Sequence, residues 1–243
     1  GLAVLEIREA REARELGWDK PILLLEGIFA RQELHNISNL DLEIVVHNSQ
    51  QIEWCLSSKE KFRKIWIKIN SGMNRLGFKG SSPSFSVGID EILNQLRVAC
   101  SYTGELGWMT HFAVGESTKF CLEQEEEFKK TITLLGFKDG ESISYSNSDA
   151  IIHNSKFCSD WVRPGILLYG AASSLNPNYD MKAVLNSLQP CQALQTEIIA
   201  KQIVKAGEAV GYGKTFVALN DMVVGIAAIG YADGYPRSIK KGT

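Results

Sequence analysis

Five short clusters carry residue types that could do chemistry, and each follows an apolar run. Ser71-Gly72-Met73-Asn74-Arg75-Leu76-Gly77 follows the run 65–69, and His111 closes the run 104–110. Ser146-Asn147-Ser148 follows 142–145, and Arg163-Pro164-Gly165-Ile166 follows Val162. Gly230-Tyr231-Ala232-Asp233-Gly234-Tyr235-Pro236 follows Ile229. Together they suit a phosphorylated ligand. Ser148 offers a hydroxyl, Gly165 and Ile166 offer backbone N–H groups, and glycine lets the backbone come close. Taken singly, such Ser and Gly positions are ordinary loop chemistry.

Short apolar runs alternate with amphipathic stretches along the chain. Strands are predicted at 22–25, 42–46, 65–69, 104–111, 142–145 and 162–169. Helices are predicted at 31–38, 50–58, 88–96 and 123–135, the last with Phe128, Ile132 and Leu135 at helical spacing. A further helix over 6–12 follows Gly1-Leu2-Ala3 without a preceding cap. Continuous apolar strands separated by helices predict an α/β fold with a parallel sheet. Such a repeat permits a closed barrel or an open doubly wound sheet. No Gly-rich dinucleotide fingerprint follows the first strand, which favours the barrel. In a barrel the chemistry sits where strands end, and that is where these clusters stand.

The pattern changes at the turn-rich Ser173-Ser174-Leu175-Asn176-Pro177-Asn178. Strands follow at 196–204 and 222–229, joined through a turn at 205–208, with no helix between them. The expected organisation is a partial (β/α)8 TIM-type barrel over 1–178 and the start of a β-rich domain over 179–243. Both ends read as cut: there is no initiating Met, and Lys241-Gly242-Thr243 lies just past a Gly-Tyr-Pro turn.

Composition narrows the class. Hydrophobic residues are 44% and charged residues 22% of 243, which excludes a disordered or collagen-like chain. A net charge of −2 gives no global electrostatic case for nucleic acid or a membrane surface. No apolar run approaches the roughly 18 residues of a spanning helix. The five scattered Cys lack any CxxC pair and read as thiols in a reducing cytoplasm, with no zinc site and no disulfide framework. His35, His47 and His153 show no ligand spacing and read as structural or surface residues. The segment 207–215 ends in Gly213-Lys214-Thr215 like a phosphate-binding loop, but Glu208 stands where that motif needs Gly and no helix follows.

Lys68-Ile69-Asn70-Ser71-Gly72-Met73-Asn74-Arg75-Leu76-Gly77, Thr110-His111-Phe112-Ala113, Ser146-Asn147-Ser148, Val162-Arg163-Pro164-Gly165-Ile166-Leu167-Leu168-Tyr169-Gly170 and Gly230-Tyr231-Ala232-Asp233-Gly234-Tyr235-Pro236-Arg237 resemble, in order and over nearly the whole chain, the successive motifs of alanine racemases. The resemblance implies a pyridoxal 5'-phosphate enzyme of fold type III: a (β/α)8 barrel followed by a β-rich C-terminal domain. It implies a cytoplasmic head-to-tail homodimer whose active sites combine barrel loops of one subunit with C-terminal residues of the other. L- and D-alanine would be interconverted by two-base proton transfer, supplying D-alanine for peptidoglycan.

The roles carry over residue by residue. Tyr231 resembles one of the two bases, and because a free phenol titrates near pH 10 it needs a neighbour, which His111 supplies by hydrogen bonding. Arg163 resembles the arginine facing the pyridine nitrogen. A guanidinium does not yield its proton, so the ring stays a poorer electron sink and transamination is discouraged. Arg75 resembles the arginine that touches the cofactor's phenolic oxygen and the substrate carboxylate, a task suited to its fork. Lys68 matches a position carbamylated in some members, where the new charge would hold Arg75. Ser148, Gly165 and Ile166 would hold phosphate, with Asn147 beside them.

Some positions depart from the pattern. Asn70 and Ser71 replace the commoner Asp-Thr. Asp149 stands where a small apolar residue is usual, and is expected to point away or to cap the next helix. Tyr169 and Tyr235 read as packing. The family's Schiff-base lysine lies in an Ala-Val-Lys-Ala-Asn-Ala-Tyr-Gly-type segment that these residues lack and that by order belongs upstream of Gly1, so this chain alone is not expected to racemise. One rival reading is another barrel enzyme with the same cofactor, a basic-amino-acid decarboxylase or a broad-specificity racemase. Arg163 argues against decarboxylation, because those relatives place a carboxylate at the pyridine nitrogen. The other is a non-catalytic pyridoxal-phosphate-binding barrel, for which the segment around Tyr231 would have no use.

Overall fold

The computed structural model describes residues 1–80, 88–100, 104–172, 183 and 186–236. The turn-rich segment 173–178, the 178/179 boundary, Arg237 and 241–243 lie outside the described residues. The chain divides into two compact units, Gly1–Cys191 and Gln192–Thr243.

The first unit alternates strand and helix: β1 (Leu2–Val4), α1 (Ile7–Glu15), β2 (Ile22–Leu24), α2 (Leu34–Asn39), β3 (Leu42–Val46), α3 (Ser49–Leu56), β4 (Lys64–Lys68), α4 (Ile89–Ala99), β5 (Leu106–Met109), α5 (Thr118–Leu134), β6 (Ser142–Asn147), α6 (Ser148–His153) and β7 (Trp161–Arg163). The seven strands form one sheet in sequential order, every neighbouring pair parallel. A doubly wound sheet reverses its strand order at a switch point. This one never does, so it is the (β/α)8-type arrangement. The sheet also curls: a Cβ on Gly1, beside β1, would lie 3.5 Å from the Trp161 ring on β7.

Period-2 alternation sorts the strand residues onto two faces. Ile44 and Val46, Ile65 and Ile67, and Leu106 and Trp108 join the large cluster under the helices. Val45, Trp66 and Met109 form a separate small cluster on the inner face, with Leu23 packed on it. Trp66 needs room there, and Gly107 on the neighbouring strand provides it, because a Cβ at 107 would sit 2.3 Å from the indole. The Trp66 N–H is satisfied by the Glu43 carboxylate at 2.7 Å. The same alternation carries the inner face upward from Trp66 to Lys68 and from Met109 to His111.

Several elements differ from the sequence reading. β1 is an additional strand; at three residues it is too short to show periodicity. The first helix is capped after all: Glu9 Oε2 accepts the N–H groups of Leu5 and Glu6 at 2.8 and 3.0 Å. The predicted strand 162–169 ends at Arg163, and Ile166–Tyr169 is a 3-10 turn. Pro164 has no N–H with which to continue a ladder. Tyr169, read as packing, is 60% exposed on that turn.

The second unit pairs β8 (Ile198–Val204) with β11 (Met222–Ala227) and β9 (Ala209–Val210) with β10 (Phe216–Val217), both antiparallel. Gly213-Lys214-Thr215 lies between β9 and β10, in a strand–turn–strand context. Tyr231 opens a 3-10 turn, Tyr231–Asp233, whose start is held by Asp233 Oδ2 accepting the Gly230 N–H at 2.9 Å. Tyr231 is exposed, and Tyr235 is 40% exposed rather than packed.

Candidate active site

A cavity of about 570 Å³ opens on the inner face of the first unit. Its wall includes His111 after β5, Asn147, Ser148 and Asp149 at the β6–α6 junction, and Arg163, Gly165 and Ile166 after β7. Residues more than 50 positions apart in sequence thus meet at the C-terminal ends of parallel strands, as the sequence predicts. Lower down, the wall carries Leu23, Trp66, Met109 and Trp161, with Glu43 beside the Trp66 indole.

Arg163 is the centre of the polar part. Its guanidinium donates to Ser144 Oγ and to the Thr110 carbonyl, and Nη2 lies 3.4 Å from His111 Nδ1. All three acceptors are neutral. Ser144 was not singled out from the sequence. It is buried on β6 and donates its own proton to Trp161 O at 2.8 Å, which leaves its lone pairs for Arg163. Burial lowers Arg163 to about 10, so it stays cationic at neutral pH.

That contact also fixes the state of His111. A guanidinium only donates, so Nδ1 is the bare nitrogen and Nε2 carries the hydrogen. Burial first, then the charges of Arg163, Arg75 and Lys68, push the imidazole down to about 3. His111 is therefore a neutral hydrogen-bond donor and no proton acceptor near pH 7. Between about pH 3 and its ordinary value of 6.5, the unfolded chain binds a proton that the folded chain refuses. Stability therefore rises with pH across that window, by at most ~1.4 kcal/mol per pH unit for one proton. Denaturant unfolding of His111→Gln at several pH values is expected to show a flatter rise than the parent. An unchanged slope contradicts this environment for His111.

Lys68, at the end of β4, is buried. Burial and the two guanidinium groups of Arg163 and Arg75 lower it to about 8. Arg75 is exposed on the loop 70–78, where both departures from the family motif stand. Asn70 Oδ1 accepts the N–H groups of Gly72 and Asn74 at 3.2 and 3.0 Å. Two backbone hydrogen bonds close the loop's base: the Asn70 N–H donates to Phe78 O and the Phe78 N–H to Lys68 O, both at 2.8 Å. Ser71 is buried, with its hydroxyl 2.8 Å from that of Thr110. Gly77 holds φ +114 with backbone atoms 2.8 Å from where a Cβ would stand, so only glycine fits. Among the described residues, Lys68, Arg75 and Arg163 have no ion-pair partner; the carboxylate of Glu26 acts on Lys68 only from a distance.

The β6–α6 junction brings Ser148 to the cavity. The helix cap is Asn147, not Asp149: Asn147 Oδ1 accepts the Ala150 N–H at 3.0 Å while Nδ2 donates to Phe112 O at 3.1 Å. Asp149 is the second residue of α6 and belongs to the wall of the same cavity. The Gly165 N–H is donated to Arg163 O at 3.0 Å, while a Cβ at Gly165 would meet nothing within 4 Å. The loop therefore has open space beside it. His47, after β3, donates its Nε2–H to Glu26 O at 3.1 Å and so braces the loop after β2. Burial raises the thiols of Cys55, Cys100 and Cys121 to about 12, 11 and 11, which leaves them unreactive. Tyr231 belongs to the second unit.

The donor set fits a phosphorylated aromatic ring: the Arg163 guanidinium, a serine hydroxyl, space over a glycine, and apolar side chains below. Comparison with known proteins gives that chemistry a family. The family model "Alanine racemase, N-terminal domain" matches residues 1–173, and "Alanine racemase, C-terminal domain" matches 191–243. The chain is 41% identical over 246 residues to an alanine racemase of Variovorax paradoxus, covering 100% of this chain and 63% of that protein. It is 40% identical over 248 residues to one of Acinetobacter baumannii, covering 100% of this chain and 64% of that protein. Among solved structures, the biosynthetic alanine racemase of Pseudomonas aeruginosa superposes with TM-score 0.78 at 34% identity, over 100% of this chain and 64% of that one. The chain thus spans somewhat under two thirds of the length of these relatives.

Proposed function

The chain belongs to the alanine racemase family, and from that premise we propose that it is part of a pyridoxal 5'-phosphate-dependent racemase that interconverts L- and D-alanine. The observation that carries the reading is the convergence of the Arg163 guanidinium, a neutral His111 and the Ser148 hydroxyl on one cavity at the mouth of the sheet. That is an environment for the phosphate, the ring and the substrate carboxylate, all of which bring negative charge or lone pairs.

Pyridoxal phosphate, when bound, supplies the conjugated ring that takes up the electron pair left as the α-hydrogen departs. The rest is done by this chain's residues. Ser148 Oγ and the Ile166 N–H hold the phosphate, and Gly165 contributes room. Arg163 donates to the ring nitrogen and keeps its own proton, because three neutral acceptors already fix its other N–H groups. Arg75 holds the carboxylate. Tyr231, from the second unit of a partner subunit in a head-to-tail homodimer, exchanges the proton at Cα on one face. The His111 Nε2–H donates to the phenolic oxygen and favours the phenolate that abstraction requires. The reading includes a cytoplasmic setting and a supply of D-alanine for peptidoglycan.

Lys68 is read as the carbamylated lysine. Its neutral Nζ attacks carbon dioxide, an N–C bond forms, one C=O pair moves onto oxygen, and the nitrogen's proton leaves to water. The carbamate places a negative charge beside Arg75. With 13C-bicarbonate at pH 8, a carbamate 13C resonance is expected that Lys68→Arg abolishes; a spectrum without it removes this assignment. The function itself is tested in the protein completed to the length of its relatives: L-alanine with pyridoxal phosphate is expected to yield the racemate, and optical purity retained after prolonged incubation contradicts it.

A further inference from the structure

Gln124 sits at a core position of α5. Cys121 and Phe128, at helical spacing on the same face, are fully buried, and Gln124 is 7% exposed between them. An amide there costs free energy unless all its polar atoms are matched. It is fully matched, and every partner belongs to the site. Oε1 accepts the Ala113 N–H at 2.8 Å, and Nε2 donates to His111 O at 3.2 Å and to Ser71 Oγ at 3.5 Å. Ser71 Oγ bonds Thr110 Oγ1 at 2.8 Å, and the Thr110 carbonyl accepts from Arg163. A flipped amide would set oxygen against His111 O and N–H against Ala113 N–H, so the orientation is determined. A Cβ on Gly72 would touch the Gln124 stem at 3.4 Å, so the Arg75 loop rests on this side chain.

We propose that Gln124 is a positioning residue that sets the Arg75 loop against the His111–Arg163 pair. The proposal deepens the racemase reading and rests on it. Arg75 is exposed and has no partner of its own among the described residues, so its place is set by the loop backbone. That loop is tied to the end of β5 by the Ser71–Thr110 hydroxyl pair and by one buried amide that joins Ser71 to the His111 and Ala113 backbone. A displaced loop weakens the grip on a carboxylate before it alters proton transfer.

The test uses the protein completed to the length of its relatives and loaded with pyridoxal phosphate. Gln124→Leu keeps bulk and removes every hydrogen bond. Gln124→Glu keeps the acceptor for Ala113 and sets a lone pair against His111 O. Phe128→Leu, one turn along the same buried stripe, controls for lost packing. Both Gln124 variants are expected to raise KM for alanine and the dissociation constant of acetate, a plain carboxylate probe, about 10- to 100-fold, with kcat changed less. Amide hydrogen exchange at Ala113 is expected to accelerate in Gln124→Leu and not in Gln124→Glu. Phe128→Leu is expected to lower Tm and leave KM and acetate affinity alone. Gln124 variants that lower Tm like Phe128→Leu but keep acetate affinity and KM would show that the amide only packs, and the proposal would be wrong. Should Gln124→Leu fail to fold, Gln124→Glu is judged by the same two outcomes. Acetate binding and amide exchange need no turnover, so a parent protein that does not racemise overturns the proposed function and leaves Gln124 to be decided by these readings.

Discussion

Tyr231→Phe, in the protein completed to the length of its relatives, is expected to slow racemisation about 10²- to 10⁴-fold, the usual weight of one positioned acid–base group. The substitution removes one oxygen and keeps the ring, so binding should change little. Both directions of net conversion must fall together, because the two enantiomers are equal in free energy. The asymmetry appears in solvent exchange. In deuterium oxide, the α-hydrogen of the enantiomer served by the opposite base still washes out, while that of the enantiomer served by Tyr231 is retained. Equal loss of exchange from both enantiomers would contradict the two-base assignment. His111 makes the phenol usable: fixed as the Nε2–H tautomer and held uncharged, it offers a hydrogen bond to a phenolate without competing for the proton.

Arg163→Glu is expected to have the second large effect. In the parent, the guanidinium faces Ser144 Oγ, the Thr110 carbonyl and His111 Nδ1, which are acceptors. A carboxylate in their place faces lone pairs, and leaving buried acceptors unmet costs about 1–3 kcal/mol of stability each. At the ring nitrogen the change is chemical. Arginine donates and keeps its proton, whereas a carboxylate stabilises a protonated pyridine and strengthens the electron sink. Long-wavelength absorbance with alanine and slow formation of pyruvate should both rise, while racemisation falls about 10²- to 10³-fold. Arg163→Lys keeps the charge and should show neither spectral change. An unaltered spectrum in Arg163→Glu would remove the account of Arg163.

Much of this was legible in the chain because it depends on local pattern. The strand–helix alternation, the continuous apolar strands and the polar residues after each strand predict a parallel sheet with chemistry at one end, and the sheet order β1 through β7 agrees. Lys68, His111 and Arg163 stand on the inner face because they continue its alternation. What was illegible depends on partners distant in sequence. Ser144 and Thr110 look like ordinary strand residues until Arg163, 19 and 53 positions away, donates to them. Gln124 reads as one more polar residue before Glu125-Glu126-Glu127, yet its partner Ser71 is 53 positions away. The strand drawn through Pro164 and the cap assigned to Asp149 failed for a local reason. Proline stops a ladder, and Asn147 lies one residue before the first helical residue, where a cap must stand.

The most direct test is a crystal structure of the protein, completed to the length of its relatives, with pyridoxal phosphate bound. It should show the ring nitrogen opposite the Arg163 guanidinium and the phosphate within hydrogen-bond reach of Ser148 Oγ. A ring bound elsewhere, or a carboxylate facing its nitrogen in place of Arg163, would contradict the account.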